Sequence, residues 1–335
     1  MGLTKTSAGL VSVVIVNWNG RELLARCLPK VLAQTYAPVE VVVVDNGSSD
    51  GSANWVAETF PDVTLIRSVR NTGFAAGNNL GIRHCSGEYV ATLNNDAFPD
   101  REWLSSLVDA IREDDRVGSC ASKMLFAKRP SMINSAGIAV DRAGIAWDRL
   151  GGEPASSGTE VQEIFGACAG AALYRRAMMD DIGLFDEDFF AYLEDVDLAW
   201  RAQWADWKCV YVPDAVIYHL HSATGMEGSR FKNRMLGRNK VWLLCKNYPL
   251  ELRYAPFVLW YDLMSVAYAT ATRRATGAVA GRLAAFRGIR RMLVKRRHMA
   301  RQLSPREMIE RLHPLESPLD VRRRYAHVEE MRQMD

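Results

Sequence analysis

Three carboxylates, Glu194, Asp195 and Asp197, are gathered in the stretch FFAYLEDVDLAW, Phe189 to Trp200. A carboxylate can take a proton from a hydroxyl or hold a hard cation. Read as a helix, the segment puts Leu193, Val196, Trp200 and Trp204 on one apolar stripe and sets Asp197 to pair with Arg201 one turn on. Glu194 and Asp195 then fall in the first turn, where the exposed N–H groups stabilise an acid for purely structural reasons. Capping accounts for one acid more easily than for several.

Further candidates stand at the ends of apolar runs. Asp96 follows a strand and is flanked by the amides Asn94 and Asn95. One carboxylate with two carbonyl oxygens suits a divalent cation that takes its other ligands from water and a diphosphate, and it also suits an Asx-turn. Asp45, at the tip of VEVVVVD, and Asp50 just beyond it can accept hydrogen bonds from a base or ribose, or cap the next helix from the turn NGSSDG. The loop NTGFAAGNN, Asn71 to Asn79, includes Gly73 and Asn78; its small residues permit close backbone approach, and a helix start favours phosphate. His219 and His221 alternate at a strand end and therefore point to opposite faces, so that one of them can reach a metal or a phosphate.

These residues need elements to position them. VSVVIVNW reads as a strand ending at Asn17, and the leucines from Leu23 to Leu32 give a helix that Pro29 should kink or break. VEVVVVD, VTLIR and EYVATLN are further strands, with a short helix around Trp55. Near-continuous Val/Ile runs alternating with helices predict an α/β fold, a mostly parallel sheet flanked by helices with ligands at the carboxyl ends of its strands. Beyond Asp115 the pattern loosens into Gly-rich loops as far as about Gly158. GACAGAALYRRAMMDDIGLF then reads as a strand and a helix, before the carboxylate cluster and CVYVPDAVIYHLHS. From about Arg230 the chain reads as helices, which divides it into a catalytic unit, residues 1–230, and a helical, basic C-terminal region, 231–335. There Val279, Leu283, Phe286, Ile289 and Leu293 recur at three- and four-residue steps, interrupted by Arg282 and Arg290.

The 335 residues are 48% apolar and 24% charged, which excludes a disordered chain. A formal charge of +3 specifies no partner, but Leu263 to Arg301 holds ten Lys or Arg and no Asp or Glu. No nucleic-acid recognition motif accompanies this basic tail. The six scattered cysteines form no CxxC pair, so a reduced, cytosolic setting is expected. Leu10 to Val16 suits a buried strand rather than a signal peptide. Tyr254 to Thr272 is interrupted by Pro256 and Asp262, which favours lying on a membrane over spanning it.

No GxGxxG follows the first strand, where the sequence reads NWNGREL, and there is no GxxxxGK[ST]; dinucleotide and P-loop chemistry lose their main signals. The segments VSVVIVNWNG, VVVVDNGSSDGS, NTGFAAGNNLGI, YVATLNNDAF, GACAGAALYRR, FFAYLEDVDLAWRA and VYVPDAVIYHLHSATG, in this order over about residues 10 to 225, resemble family 2 glycosyltransferases of the GT-A fold. The similarity is closest to the bacterial rhamnosyltransferase-like branch. It implies inverting transfer of a sugar such as rhamnose from a dTDP- or UDP-linked donor to a hydroxyl of a glycan or polyprenyl-diphosphate-linked acceptor, in cell-surface polysaccharide synthesis, with Mg²⁺ or Mn²⁺. By position, the resemblance implies that Asp45 and Asp50 contact the nucleoside, while Asn17, Asn71, Gly73, Asn78, Asn94 and Asn95 line the donor pocket. Asp96 takes the last position of the family's DxD metal motif, here Asn94-Asn95-Asp96, with His219 and His221 as further ligand candidates. Asp195 is then the catalytic base, and Glu194 orients the base or the acceptor. The basic tail fits a peripheral enzyme on the inner face of the cytoplasmic membrane, each Lys or Arg contributing about 1 kcal/mol at an anionic surface. A nucleotidyltransferase and a non-catalytic nucleotide-sugar-binding subunit are the competing readings, the second suggested by the amide at Asn94.

Overall fold

In a computed structural model, which describes residues 6–220, 229–249, 252–271 and 275–317, the chain is built on one ten-stranded mixed sheet. Its parallel part is β4 (Gly87–Asn94), β1 (Ser7–Asn17), β2 (Val39–Asp45) and β3 (Thr64–Arg67), in that spatial order. The Val/Ile runs feed two cores at once. Val13 and Ile15 pack with α1 (Arg21–Leu32), α2 (Ser52–Thr59) and α4 (Trp103–Arg112), whereas Val14 packs on the other face with α3 (Gly73–His84), α5 (Arg176–Ile182) and α6 (Glu194–Trp204). Register decides where the site lies: Asn17 is opposite Asp45, and Val16 is opposite Asn94, so the three polar strand tips end at one level.

Two expectations need correction. Pro29 does not break α1, because it sits in the last turn and deprives a single carbonyl of its partner before the helix ends at Leu32. The stretch after Asp115 is not mainly loop: β6 (Val117–Phe126) is a ten-residue strand buried throughout. Its sequence, VGSCASKMLF, hides this with small and polar residues. A Cβ at Gly118 would lie 2.5 Å from the Met178 sulfur, so bulk is supplied by the helix above rather than by the strand.

Antiparallel β11 (Ala171–Arg175) is inserted between β4 and β6, and β12 (Lys208–His219) runs parallel to β6 on its far side. The short strand β5 (Ala97–Pro99) pairs with β12 so that Ala97 faces His219. That pairing draws Asp96 and His219 together. β7 (Arg129–Ser135) and β10 (Gln162–Ile164) complete the sheet, and β8 (Ile138–Val140) with β9 (Ala146–Asp148) forms a separate hairpin.

The C-terminal helices are α7 (Arg230–Asn247), α8 (Ala255–Ala271), α9 (Ala275–Ala285), α10 (Ile289–Arg297) and α11 (Pro305–Glu310). A third core joins Val196, Trp200 and Trp204 of α6 to Trp242 and Leu243 of α7, Met292 of α10, and Met308 and Ile309 of α11. The apolar stripe read from the sequence faces outward: Val279, Leu283, Phe286 and Leu293 are exposed. Among the described residues, no helix is long and apolar enough to cross a membrane.

Candidate active site

A cavity of about 790 Å³ opens where β1 and β4 end, a size that suits a small-molecule ligand. It is walled by the first turn of α3, the β8–β9 hairpin, the loop before β11, and the turn that leads into α6. That turn is strained. Phe190, Tyr192 and Leu193 have φ values of 65°, 70° and 68°, a region costing a non-glycine residue about 1–3 kcal/mol each. Phe190 is the centre of a γ-turn, with Ala191 N–H donating to the Phe189 carbonyl at 2.8 Å. Ala75 N–H, in the first turn of α3, donates to the Phe190 carbonyl at 3.2 Å. This close approach requires Gly73, since at φ +88° a Cβ there would lie 2.5 Å from that carbonyl oxygen.

The turn delivers Glu194 and Asp195 to the cavity wall in distinct states. Asp195 accepts Ala169 N–H at 3.2 Å and Val196 N–H at 2.8 Å. Burial nonetheless pushes its carboxyl up to about 6, with the charge of Asp148 adding to the effect. Glu194 is buried, and its Oε2 meets no hydrogen-bond partner among the described residues. Burial, and then the charge of Asp195, raise Glu194 well above the usual carboxylate range, which favours its protonated form. The pair thus sets a poised base beside an acid biased toward holding its proton.

Asp197 serves a different purpose. It is fully buried and accepts from Arg201 Nε at 2.9 Å, Lys246 Nζ at 2.8 Å and Asn247 Nδ2 at 2.8 Å. Burial opposes its charge, but Lys246 and Arg201 overcome that penalty and hold the carboxyl low. The i,i+4 pairing expected from the sequence is present, and it fastens α6 to α7. A second cavity, of about 780 Å³, borders the same network near Asp186. There burial works to raise Asp186, yet the Lys246 and Lys295 ammonium groups bring it down to about 2. Asp186 and Asp188 are paired with lysines, Glu187 with Arg83, and Asp181 accepts from Trp207 Nε1, which marks this cavity as structural.

The structure gathers Asn71, Gly73, Asn94, Asn95, Glu194, Asp195 and His219 on the first cavity. Asp96 is buried next to it, with Oδ1 3.2 Å from His219 Nε2, while His219 Nδ1 lies 2.9 Å from Asn134 Oδ1. His221 lies outside the described residues. The other sequence candidates support the walls. Asn17 accepts from Asn95 Nδ2 at 2.8 Å and donates to Ser52 Oγ at 2.9 Å. Asp45 accepts from Ser48 N–H and Ser52 Oγ, and Asp50 caps two helix starts by accepting Arg21 N–H and Ser52 N–H, each at 3.0 Å. Asn78 is buried in α3, donating to the Phe74 carbonyl at 3.0 Å.

The sequence reading missed Trp18, Asn46, Trp147, Asp148, Tyr192 and Lys232, all of which line the cavity. Asn46 was within reach, since it adjoins Asp45 in a turn already singled out; it bridges loops by accepting Thr72 N–H at 3.0 Å and donating to Asn71 Oδ1 at 3.2 Å. Trp147 and Asp148 arrive on a three-residue strand and carry no pattern of their own.

Asp96 and His219, in contact at 3.2 Å, are the two side chains that would hold a divalent cation, and among the described residues no group of three His, Cys, Asp or Glu forms a fuller set. Two protein ligands with a diphosphate and waters completing the shell is a usual arrangement for Mg²⁺-like ions, so the residues fit.

Residues 12–183 match the family model described as glycosyl transferase family 2. An N-acetylglucosaminyl-diphospho-decaprenol L-rhamnosyltransferase of Mycobacterium tuberculosis is 30% identical over 247 residues, covering 65% of this chain and 78% of that protein. Among solved structures, a mannosyltransferase from Pyrobaculum calidifontis in complex with GDP-Man and Mn²⁺ superposes with a TM-score of 0.51 at 20% identity, covering 86% of this chain and 84% of its own. GalNAc-T7 with UDP, GalNAc and Mn²⁺ gives 0.54 at 16% identity, covering 78% of this chain and 57% of its own. These similarities show a shared fold.

Proposed function

The chain belongs to glycosyl transferase family 2 and is an inverting glycosyltransferase, and we propose that it transfers a deoxyhexose such as rhamnose from a dTDP- or UDP-linked donor to a hydroxyl of a polyprenyl-diphosphate-linked glycan in cell-surface polysaccharide synthesis. The observation that carries the site assignment is the buried Glu194–Asp195 pair, one carboxyl pushed well up and the other poised near 6, on a cavity shared with Asn94, Asn95 and His219. The acceptor hydroxyl attacks the anomeric carbon as the nucleoside diphosphate leaves, and Asp195 takes the hydroxyl proton, which inverts the centre. Glu194, neutral, donates a hydrogen bond that orients the acceptor. Asn71, Gly73, Asn94 and Asn95 hold the donor, while Asn17, Asp45, Asp50 and Asn78 fix the loops that carry them. Asp96 and His219 would hold Mg²⁺ or Mn²⁺, whose positive charge offsets that of the leaving diphosphate.

The test is turnover on a panel of dTDP-, UDP- and GDP-sugars with a polyprenyl-diphosphate glycan. The expected result is release of nucleoside diphosphate and a product of inverted anomeric configuration. Release of inorganic diphosphate would indicate a nucleotidyltransferase. No turnover, combined with a rise in melting temperature on nucleotide, would indicate the non-catalytic subunit; a ligand at a hundred times its Kd adds about 2.7 kcal/mol of stability.

We assign residues 1–230, helped by Lys232 and Asn239 of α7, to catalysis and the rest of 231–335 to peripheral attachment on the inner face of the cytoplasmic membrane. Of the fifteen large apolar side chains exposed among the described residues, ten lie between Phe257 and Val294, beside exposed Arg287, Arg290 and Arg297. That mixture suits an anionic interface. Flotation should find the protein on phosphatidylglycerol-rich vesicles at low salt, and the double variant Leu283→Asp, Phe286→Asp should lose that binding. Failure of the unaltered protein to float would remove the assignment.

A further inference from the structure

We infer that Asn239, on α7 and beyond the stretch matched by the family model, is a positioning residue for the Asp195 base. This rests on the assignment of Asp195 made above. Asn239 is fully buried, and its Nδ2 donates toward three carbonyls of the strained turn: Phe189 at 3.0 Å, Ala191 at 2.9 Å and Tyr192 at 2.7 Å. Neighbouring Arg238 donates from Nη2 to the Asp188 carbonyl at 3.2 Å and the Phe189 carbonyl at 2.8 Å. With Ala75 N–H on Phe190, every carbonyl from Asp188 to Tyr192 has a donor, and none of these donors comes from the turn's own helix.

This arrangement answers a specific need. Positive φ at Phe190, Tyr192 and Leu193 turns successive carbonyls away from any ladder or helix that would pair them, and a buried unpaired carbonyl is costly. An apolar residue at 239 would leave the Ala191 and Tyr192 carbonyls unsatisfied. The turn ends at Leu193, immediately before Glu194 and Asp195, so its conformation fixes where the carboxylates begin. Asn239 touches neither reacting carbon nor proton; it acts through the turn.

Replacing Asn239 with Ala releases the Ala191 and Tyr192 carbonyls, while Phe189 keeps Arg238 and the Ala191 N–H, and lets the turn relax. The test uses the full chain and two readouts. The first is kcat and donor KM. The second is the titration of Asp195 followed by carboxyl ¹³C NMR, identified by its loss in Asp195→Asn, which needs no substrate. The groups facing Asp195 are Glu194, Asp148, Cys168 and Tyr174, and all are kept in these variants. In Asn239→Ala, kcat is expected to fall about 10²-fold while donor KM changes less than about threefold, as for a base displaced by about 1 Å. The Asp195 midpoint should fall from about 6 toward the ordinary carboxylate range as water reaches the loosened turn.

Asn239→Ser keeps one donor and should lie between the two on both readouts, and it carries the measurement if the alanine variant does not fold. Leu243→Ala, buried on the same helix, should lower the melting temperature yet keep kcat and the midpoint. The inference is overturned if both Asn239 variants keep kcat and midpoint while only the melting temperature drops, or if Leu243→Ala reproduces their loss. Should the wild type transfer nothing to the acceptors tried, the titration decides: a moved midpoint upholds the positioning role, and an unmoved one overturns it.

Discussion

Asp195→Asn is expected to lower turnover by about 10²–10⁴-fold, the range for loss of a general base, and to leave nucleotide binding intact. The amide keeps one acceptor, toward Ala169 N–H, gives up the one toward Val196 N–H, and cannot take a proton from the acceptor hydroxyl. The same substitution raises thermal stability above pH 6. Burial lifts the Asp195 carboxyl from the ordinary 3.8 to about 6, so the folded protein binds this proton more tightly than the unfolded chain does. The stabilisation from that proton is full below the ordinary value and is lost as pH rises through 6, where the ionised buried carboxylate becomes a penalty. Asparagine carries no such penalty. Melting curves at pH 7.5 should therefore favour the variant, and the difference should close near pH 4. An inactive variant that also melts lower at pH 7.5 would point to a misfolded site instead.

Two residues further along, Asp197→Asn should do the reverse. It removes the carboxylate that Arg201, Lys246 and Asn247 share in a fully buried setting, and breaking such a network typically costs about 3–5 kcal/mol. Lys246 retains Asp186, and Arg201 retains the carbonyls of Ile182, Gly183 and Leu184, which places the expected loss near about 3 kcal/mol at the lower end of that range. Urea unfolding at pH 7 measures this as a lower midpoint with an unchanged slope. Because Asp197 is held low, its contribution is present above the ordinary 3.8 and is lost as pH falls through the folded value; the gap between variant and wild type should narrow in acid. Activity in the folded fraction should survive better than in Asp195→Asn. The crowding of acids in FFAYLEDVDLAW thus divides into the proposed base Asp195, the acid Glu194 proposed to orient the acceptor, and Asp197, the anchor of their helix.

Much of this was legible wherever the physics is local. The runs VSVVIVN and VEVVVVD could be nothing but buried strands, and the polar residues at their tips fell where a parallel register puts a site. Asp197 and Arg201 are neighbours on any helix. What escaped depends on partners far away in sequence. β6 looks like loop because its burial is supplied by β11, β12 and α5, not by its own Val or Ile content. The grip of Asp50 on the start of α1 escaped in the same way, since Arg21 N–H lies 29 residues away in sequence. Asn239 sits about fifty residues from the turn it holds, in a helix whose sequence, GRNKVW, gives no sign of it. The outward-facing stripe from Val279 to Leu293 was visible as a period, but only packing shows which side of it faces solvent.

The central claim is that a buried carboxylate poised near neutrality is the base, and the most direct measurement is the pH dependence of kcat/KM from about pH 5 to 9. The account predicts an acid limb with an apparent pKa of about 6, absent from the residual rate of Asp195→Asn and kept in His219→Asn, which removes imidazole chemistry from the cavity wall. A rate that stays flat to pH 5, or a limb that disappears with His219 and not with Asp195, would contradict it.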